Sequence, residues 1–200
     1  MNMIKFVNES HSEPFKIIKK NYLSALSSDQ KFIEAICISS FNNLTHEVNS
    51  RYVNLKIIDG EDLIFFSNYN SPKSQEFDAH NQISAVIFWQ SINIQIRFKA
   101  RIKRTSATFN QNYFSKRAEE KNALAISSHQ SKTIESYESV LLNYNKIFDQ
   151  EDLKKCPNYW GGFIFRPYEI EFWEGHESRI NKREAFHKND NFWERSFLQP

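Results

Sequence analysis

The chain has 200 residues, 40% of them apolar and 15% aromatic, with 26 Lys and Arg against 24 Asp and Glu for a net charge of +2. So even a balance excludes an electrostatic case for nucleic acid or an anionic membrane as partner, and the longest uninterrupted apolar run, AVIFW at 85–89, is too short to span a bilayer. The length fits a single domain over residues 1–200, and 18 Phe and 8 Tyr suit strands better than a helical bundle.

The opening MNMIKFVNESHSEP lacks the apolar stretch of a signal peptide, so a cytoplasmic protein is expected. SEPFKIIKKNYLSAL offers Ser12 as N-cap, Pro14 in the first turn, and Phe15, Ile18, Tyr22 and Leu26 on one face, which predicts a first helix over about 13–27. FIEAICIS, SRYVNLKII, DLIFFSN, ISAVIFWQ and INIQIRFKARIKR follow, rich in β-branched and aromatic residues and separated by polar turns. Five strands in succession predict an antiparallel barrel or sandwich, mainly β with peripheral helices. In the last of them Ile92, Ile94, Ile96, Phe98, Ala100 and Ile102 share one face, and the basic opposite face lacks the interleaved aromatics that stacking on bases needs. SPKSQEFDAH, TFNQNYFSKRAEE and TIESYESVLLNYNKIF read as helices, the last with Ile134, Tyr137, Leu141, Tyr144 and Phe148 as a packing stripe. Beyond Pro157 the strands WGGFIFRP and YEIEFWE lead to a turn at Gly175, and NFWERSFLQP closes the chain with one more strand.

No Gly-rich phosphate loop, Ser-His-Asp order, HExxH motif or metal-ligating spacing of histidines is present, and Cys37 and Cys156 match no redox or metal pattern. What remains is a set of cations and amides at strand ends and helix starts. Arg51 and Lys56 flank RYVNLK, Lys73 sits in the first turn of a helix, and Gln130 and Ser131 open another; such groups bind phosphate, and singly each also reads as a surface charge or cap. Arg51 and Lys56 fall on opposite faces of an ideal strand, which a bulge at Arg51 would remedy.

The order of the short motifs RYVNLK, FFSNY, SPKSQE, INIQI, YFSKRAEE, SHQS, WGG, EFWEG and RINKR, over residues 13–200, resembles the pyridoxamine 5′-phosphate oxidase family. The resemblance implies a split β-barrel homodimer that holds flavin mononucleotide (FMN) between its subunits, with a dimerisation and substrate hairpin over about 157–200. It implies FMN contacts from Arg51, Lys56, Phe66, Ser67, Lys73, Gln95, Gln130, Ser131, Trp173 and Arg183. A small phosphorylated substrate would meet Lys56, Tyr113, Arg117, Lys121, Arg179 and Asn181, the last two at the catalytic positions. The implied reaction moves a hydride from pyridoxamine or pyridoxine 5′-phosphate to flavin N5, forms pyridoxal 5′-phosphate, and ends with dioxygen reduced to hydrogen peroxide. The chain departs from the family pattern at Pro72, Ile94, Lys121, Asn181 and Lys182. Those departures leave two alternatives open: a divergent FMN-dependent oxidoreductase resembling the enzymes that oxidise phenazine precursors, and a flavin-binding dimer without turnover.

Overall fold

The computed structural model describes residues 3–150, 152–190 and 192–200. Its strands, in chain order, are β1 (Lys5–Val7), β2 (Ala35–Asn42), β3 (Glu47–Asp59), β4 (Asp62–Asn68), β5 (Gln82–Trp89), β6 (Ile94–Arg104), β7 (Trp160–Glu174), β8 (Lys182–Asn189) and β9 (Phe192–Leu198). Its helices are α1 (Glu13–Ser27), α2 (Pro72–Ala79), α3 (Ala107–Phe114), α4 (Glu119–Ser127) and α5 (Tyr137–Gln150). The alternating patterns of the sequence become strands because each has one apolar side to bury: Ile96, Phe98, Ala100 and Ile102 of β6 are all buried while the basic residues between them face out.

The strands form one sheet in the order β1-β3-β2-β5-β6-β7-β8-β9, and β4 joins β3 to β7, so the six strands β3, β2, β5, β6, β7 and β4 pair in a closed circuit. Inside it lies an aromatic core in which Phe65 stacks on Phe163 at 5.4 Å and meets Phe77 of α2 edge-on at 6.3 Å. Helix α1 buries Phe15, Ile18 and Tyr22 against this core, the tyrosine ring 6.1 Å from Trp89. Among the described residues no helix is long and apolar enough to cross a membrane.

The structure departs from the sequence reading at several points. α5 begins at Tyr137, so Gln130 and Ser131 open no helix and Ile134 lies outside it, and the expected packing stripe is largely exposed at Ile134, Tyr137, Leu141 and Phe148. The two strands expected around Pro167 are a single strand, β7, whose pairing with β6 slips by one residue between Lys99 and Ala100; the slip absorbs a proline that has no N–H to give the ladder. TFNQNYFSKRAEE is two helices, broken after Phe114, where the Asn122 side chain donates to the Phe114 and Leu153 carbonyls at 2.9 and 2.8 Å. Gly175 has no positive φ; a Cβ there would lie 2.3 Å from Asn93 Nδ2, and the left-handed residue of that loop is Arg179, at φ 60°. β1 was not foreseen: it lies parallel to β3 with Lys5 opposite Ile57. Asn191, at which the closing strand was expected to begin, lies outside the described residues.

One buried polar network fixes α3 to the sheet. Asn110 Nδ2 donates to Tyr69 Oη at 3.0 Å, its Oδ1 accepts from Gly162 N at 2.9 Å and from Thr105 Oγ1 at 2.6 Å, and Tyr69 Oη donates to the Gly162 carbonyl at 3.0 Å. Gly161 and Gly162 make this possible by close approach: a Cβ on Gly161 would sit 2.2 Å from Tyr69 Oη, and one on Gly162 2.6 Å from Thr105 Oγ1. We therefore expect Gly161→Ala and Asn110→Ala each to lose roughly 2–3 kcal/mol of stability, one by overpacking and one by stranding buried partners. Gly175→Ala, which meets only the end of a side chain, should lose clearly less; urea unfolding of the three variants checks the ranking.

Candidate functional site

A cleft opens where β3, β4, α3 and the segment around Gln130 meet. It consists of an inner hollow of about 200 Å³ and an outer one of about 690 Å³, which share Asn54, Lys56, Tyr113 and Arg117. Its wall is aromatic: Tyr113 stacks on Phe66 at 3.6 Å and Trp160 on the same ring at 5.2 Å. The Arg117 guanidinium lies 5.0 Å over the Trp160 ring. Because α3 is pinned through Asn110, Tyr113 one turn later is held against Phe66.

The inner hollow collects donors. Lys73 Nζ and Ser67 Oγ both donate to Gln130 Oε1, at 3.0 and 3.1 Å, and Lys73 also reaches Ser71 Oγ at 3.1 Å. Burial, and next the positive charge of Arg51, push the Lys73 ammonium down to about 8. Lys56 is also lowered, by burial first and then by Lys121 and Arg117, against the opposing pull of Glu34 at 3.8 Å. Burial lowers Arg117 and raises Tyr113. These groups are short of negative charge, and an anion in the cleft would relieve all the cations together.

Arg51 does not line the cleft. The β2–β3 ladder runs unbroken through it, and its side chain turns to α2, donating to Glu76 Oε2 at 2.9 Å and to Ser40 Oγ. Glu76 is buried and also takes Asn49 at 2.8 Å. The irregularity in β3 falls at Lys56 instead, where the pairing with β4 slips between Leu55 and Ile57. Arg51 and Lys56 thus stay on opposite faces, and Arg51 acts on the site through its field at Lys73.

The remaining expected residues gather elsewhere. Gln95, Trp173 and Arg183 stand in one row across β6, β7 and β8. Buried Glu171 accepts from Arg183 Nε at 2.8 Å and from Arg97 Nη1 at 3.3 Å. Arg179 and Asn181 occupy the adjoining loop, where Asn181 Oδ1 accepts from His176 N at 3.0 Å. Ser131, at φ 68°, lines a separate hollow with Ile134 and Val140. On β7 thirteen residues separate Trp160, in the cleft, from Trp173, in the row; at ~3.3 Å per residue that is roughly 40 Å of strand.

Sequence reasoning missed Trp160 as a site residue, although WGG marked its position. It also missed Glu34, Glu76 and Glu171, which had no local signal because their cationic partners come from distant segments, and Lys5 and Lys116, which line the outer hollow.

The family model for the pyridoxine 5′-phosphate oxidase C-terminal dimerisation region matches residues 160–200. A pyridoxine/pyridoxamine 5′-phosphate oxidase of Christiangramia forsetii is 32% identical over 180 residues, covering 88% of this chain and 84% of that protein. Among solved structures, PhzG from Burkholderia lata, in complex with tetrahydrophenazine-1-carboxylic acid, superposes with a TM-score of 0.87 at 21% identity, covering 94% of this chain and 93% of that one. A pyridoxamine 5′-phosphate oxidase-related, FMN binding protein from Nostoc punctiforme gives 0.78 at 11% identity, covering 94% and 98%. At these identities the two structures establish the fold.

The Lys73 environment has a measurable consequence. A lysine held near 8 in the folded protein and titrating near 10.5 unfolded binds fewer protons folded than unfolded between those values, so it makes stability rise with pH across that window. Urea unfolding from about pH 8 to about pH 10.5 should show this rise in the wild type and a smaller one in Lys73→Met.

Proposed function

The chain belongs to the pyridoxine/pyridoxamine 5′-phosphate oxidase family, and from that premise we propose that it is an FMN-dependent oxidase whose substrate is a small phosphorylated ring, pyridoxamine or pyridoxine 5′-phosphate, and whose product is pyridoxal 5′-phosphate. The observation that carries this reading is the convergence of Lys56, Ser67, Lys73, Tyr113, Arg117 and Gln130, drawn from β3, β4, α2, α3 and two loops, on one cleft.

The residues present fit FMN. A phosphate wants several fixed donors and cations, and Lys73 and Ser67, which share a single acceptor, have capacity to spare for one. A flat ring wants aromatic neighbours, which the cleft provides. When bound, FMN would supply the redox chemistry, taking a hydride from the carbon bearing the amine or alcohol and returning the electrons to dioxygen as peroxide. The chain's own part is to bind and orient. Lys73, Ser67 and Gln130 would hold the cofactor phosphate; Lys56, Tyr113 and Arg117 would hold that of the substrate. Tyr113 and Arg117, one helical turn apart in sequence and both packed on the Phe66–Trp160 wall, would fix the substrate's approach.

Gln95, Trp173, Arg179, Asn181 and Arg183 lie too far along β7 to reach the same ligand in one chain. We read them as the contribution of a second copy, so that each site of a homodimer is built from the cleft of one subunit and the C-terminal row of the other. The match to a dimerisation region and the circuit of six strands, read as a split barrel, support this assembly. A second reading, an oxidoreductase acting on another anionic ring such as a phenazine precursor, is favoured by Lys121 and Asn181 at the substrate positions; a flavin-binding dimer without turnover is the third.

Assay with pyridoxamine and pyridoxine 5′-phosphate, reading peroxide and aldehyde, separates the three: turnover supports the first, and a yellow, reducible protein inert to both substrates removes it. The shared site has its own test. Lys56→Ala and Arg183→Ala should each abolish most activity, whereas refolding them together should restore about a quarter of the wild-type value, because half the dimers are mixed and each mixed dimer keeps one intact site. No recovery on mixing would place both residues in one subunit's site.

A further inference from the structure

The outer hollow carries more positive charge than one phosphate group calls for. Lys5, Lys56, Lys116, Arg117 and Lys121 line it, and none of the described residues lining it is acidic. Three of these belong to the site already described. Lys5 and Lys116 are additional and arrive by independent routes: β1 is laid along β3 so that Lys5 stands opposite Ile57, next to Lys56, and Lys116 sits in the turn between α3 and α4. Setting Lys121 aside, the other four cations less Glu34, which faces Lys56 at 3.8 Å, leave three positive charges, against about two negative charges on a phosphate. At about 690 Å³ the hollow lies within the ~300–1,000 Å³ range of small-molecule sites, with room beyond the phosphate position, and Phe109 and Tyr113 give it an apolar side on which a ring can lie.

We propose that Lys5 and Lys116 form a second anion position beside the phosphate position of Lys56, Tyr113 and Arg117, so that the cleft accepts a ring bearing both a phosphate and a second group, such as a carboxylate, and holds it more tightly than a ring with the phosphate alone. The inference rests on the oxidase reading for the position of the first phosphate. Lysine suits the second position because a mobile point charge neutralises a carboxylate without demanding the planar fit that arginine imposes. Five lysine and arginine side chains around an ordinary solvated groove are the bland alternative, and it predicts no gain from a second charge on the ligand.

The test uses FMN-reconstituted protein and two probes of one shape, phenyl phosphate and 4-carboxyphenyl phosphate, with affinities measured by titration calorimetry. The carboxylated probe should bind about three- to tenfold more tightly, with the advantage shrinking as salt is raised. In the double variant Lys5→Gln, Lys116→Gln the advantage should vanish while phenyl phosphate binding changes by less than about twofold. Equal affinities of the wild type for the two probes overturn the inference and leave the oxidase reading standing, as does an advantage that survives the double variant. Discrimination between the probes without peroxide formation from pyridoxamine or pyridoxine 5′-phosphate removes that substrate pair and keeps the second anion position. A yellow protein that binds neither probe overturns the second anion position, and peroxide formation from pyridoxamine or pyridoxine 5′-phosphate decides the oxidase reading separately.

Discussion

The close approach of side chains to backbone at Gly161 and Gly162 is the constraint on which the cleft depends. With no Cβ in the way, Tyr69, Thr105 and Asn110 reach the β7 backbone and bond to it, and Asn110 brings α3 with it. Tyr113 then lies on Phe66, Trp160 backs the same ring, and Arg117 is led to the indole face. Any side chain at either glycine would push the helix outward and dissolve that wall. The cations of the site are arranged afterwards, on a frame set by packing.

The electrostatics follow from that frame. The cleft brings Lys56, Lys73 and Arg117 together under partial burial, and each is shifted toward its neutral form chiefly by loss of water. Among the described residues the carboxylates that offset this are Glu34, beside Lys56, and Glu76, which acts on Lys73 and sits behind the site, where it holds Arg51 in place. An anion bound among these cations would offset their desolvation. The same logic, in opposite sign, explains Glu171: buried on the other stretch of β7, it keeps Arg183 and Arg97 extended in a row rather than dispersed in solvent.

β7 ties these two regions together. It pairs with β4 at the cleft end, with β8 at the other, and with β6 along most of its length. A strand of this length keeps the cleft and the row apart within one chain. The slip opposite Pro167 lets one strand serve both ends without breaking.

Much of this was legible from the residues in order. The first helix, the five strands from β2 to β6 and the basic face of β6 are local properties, set by the periodicity of apolar side chains over a few residues, and the motif order from RYVNLK to RINKR pointed to the family. The resemblance named Lys56, Ser67, Lys73, Tyr113, Arg117 and Gln130 as cofactor and substrate residues, and in the fold they line one cleft. What the residues in order did not reveal was where Arg51 points, that the bulge falls at Lys56, that β1 carries Lys5 to the cleft, and that Trp173 and Arg183 stand far from Lys73. Each of these depends on something outside the few residues that set a local pattern: Glu76 for Arg51, the pairing with β4 for the slip, β3 for β1, and the full span of β7 for the separation. Periodicity records which side of a strand is buried; only the folded chain decides against what.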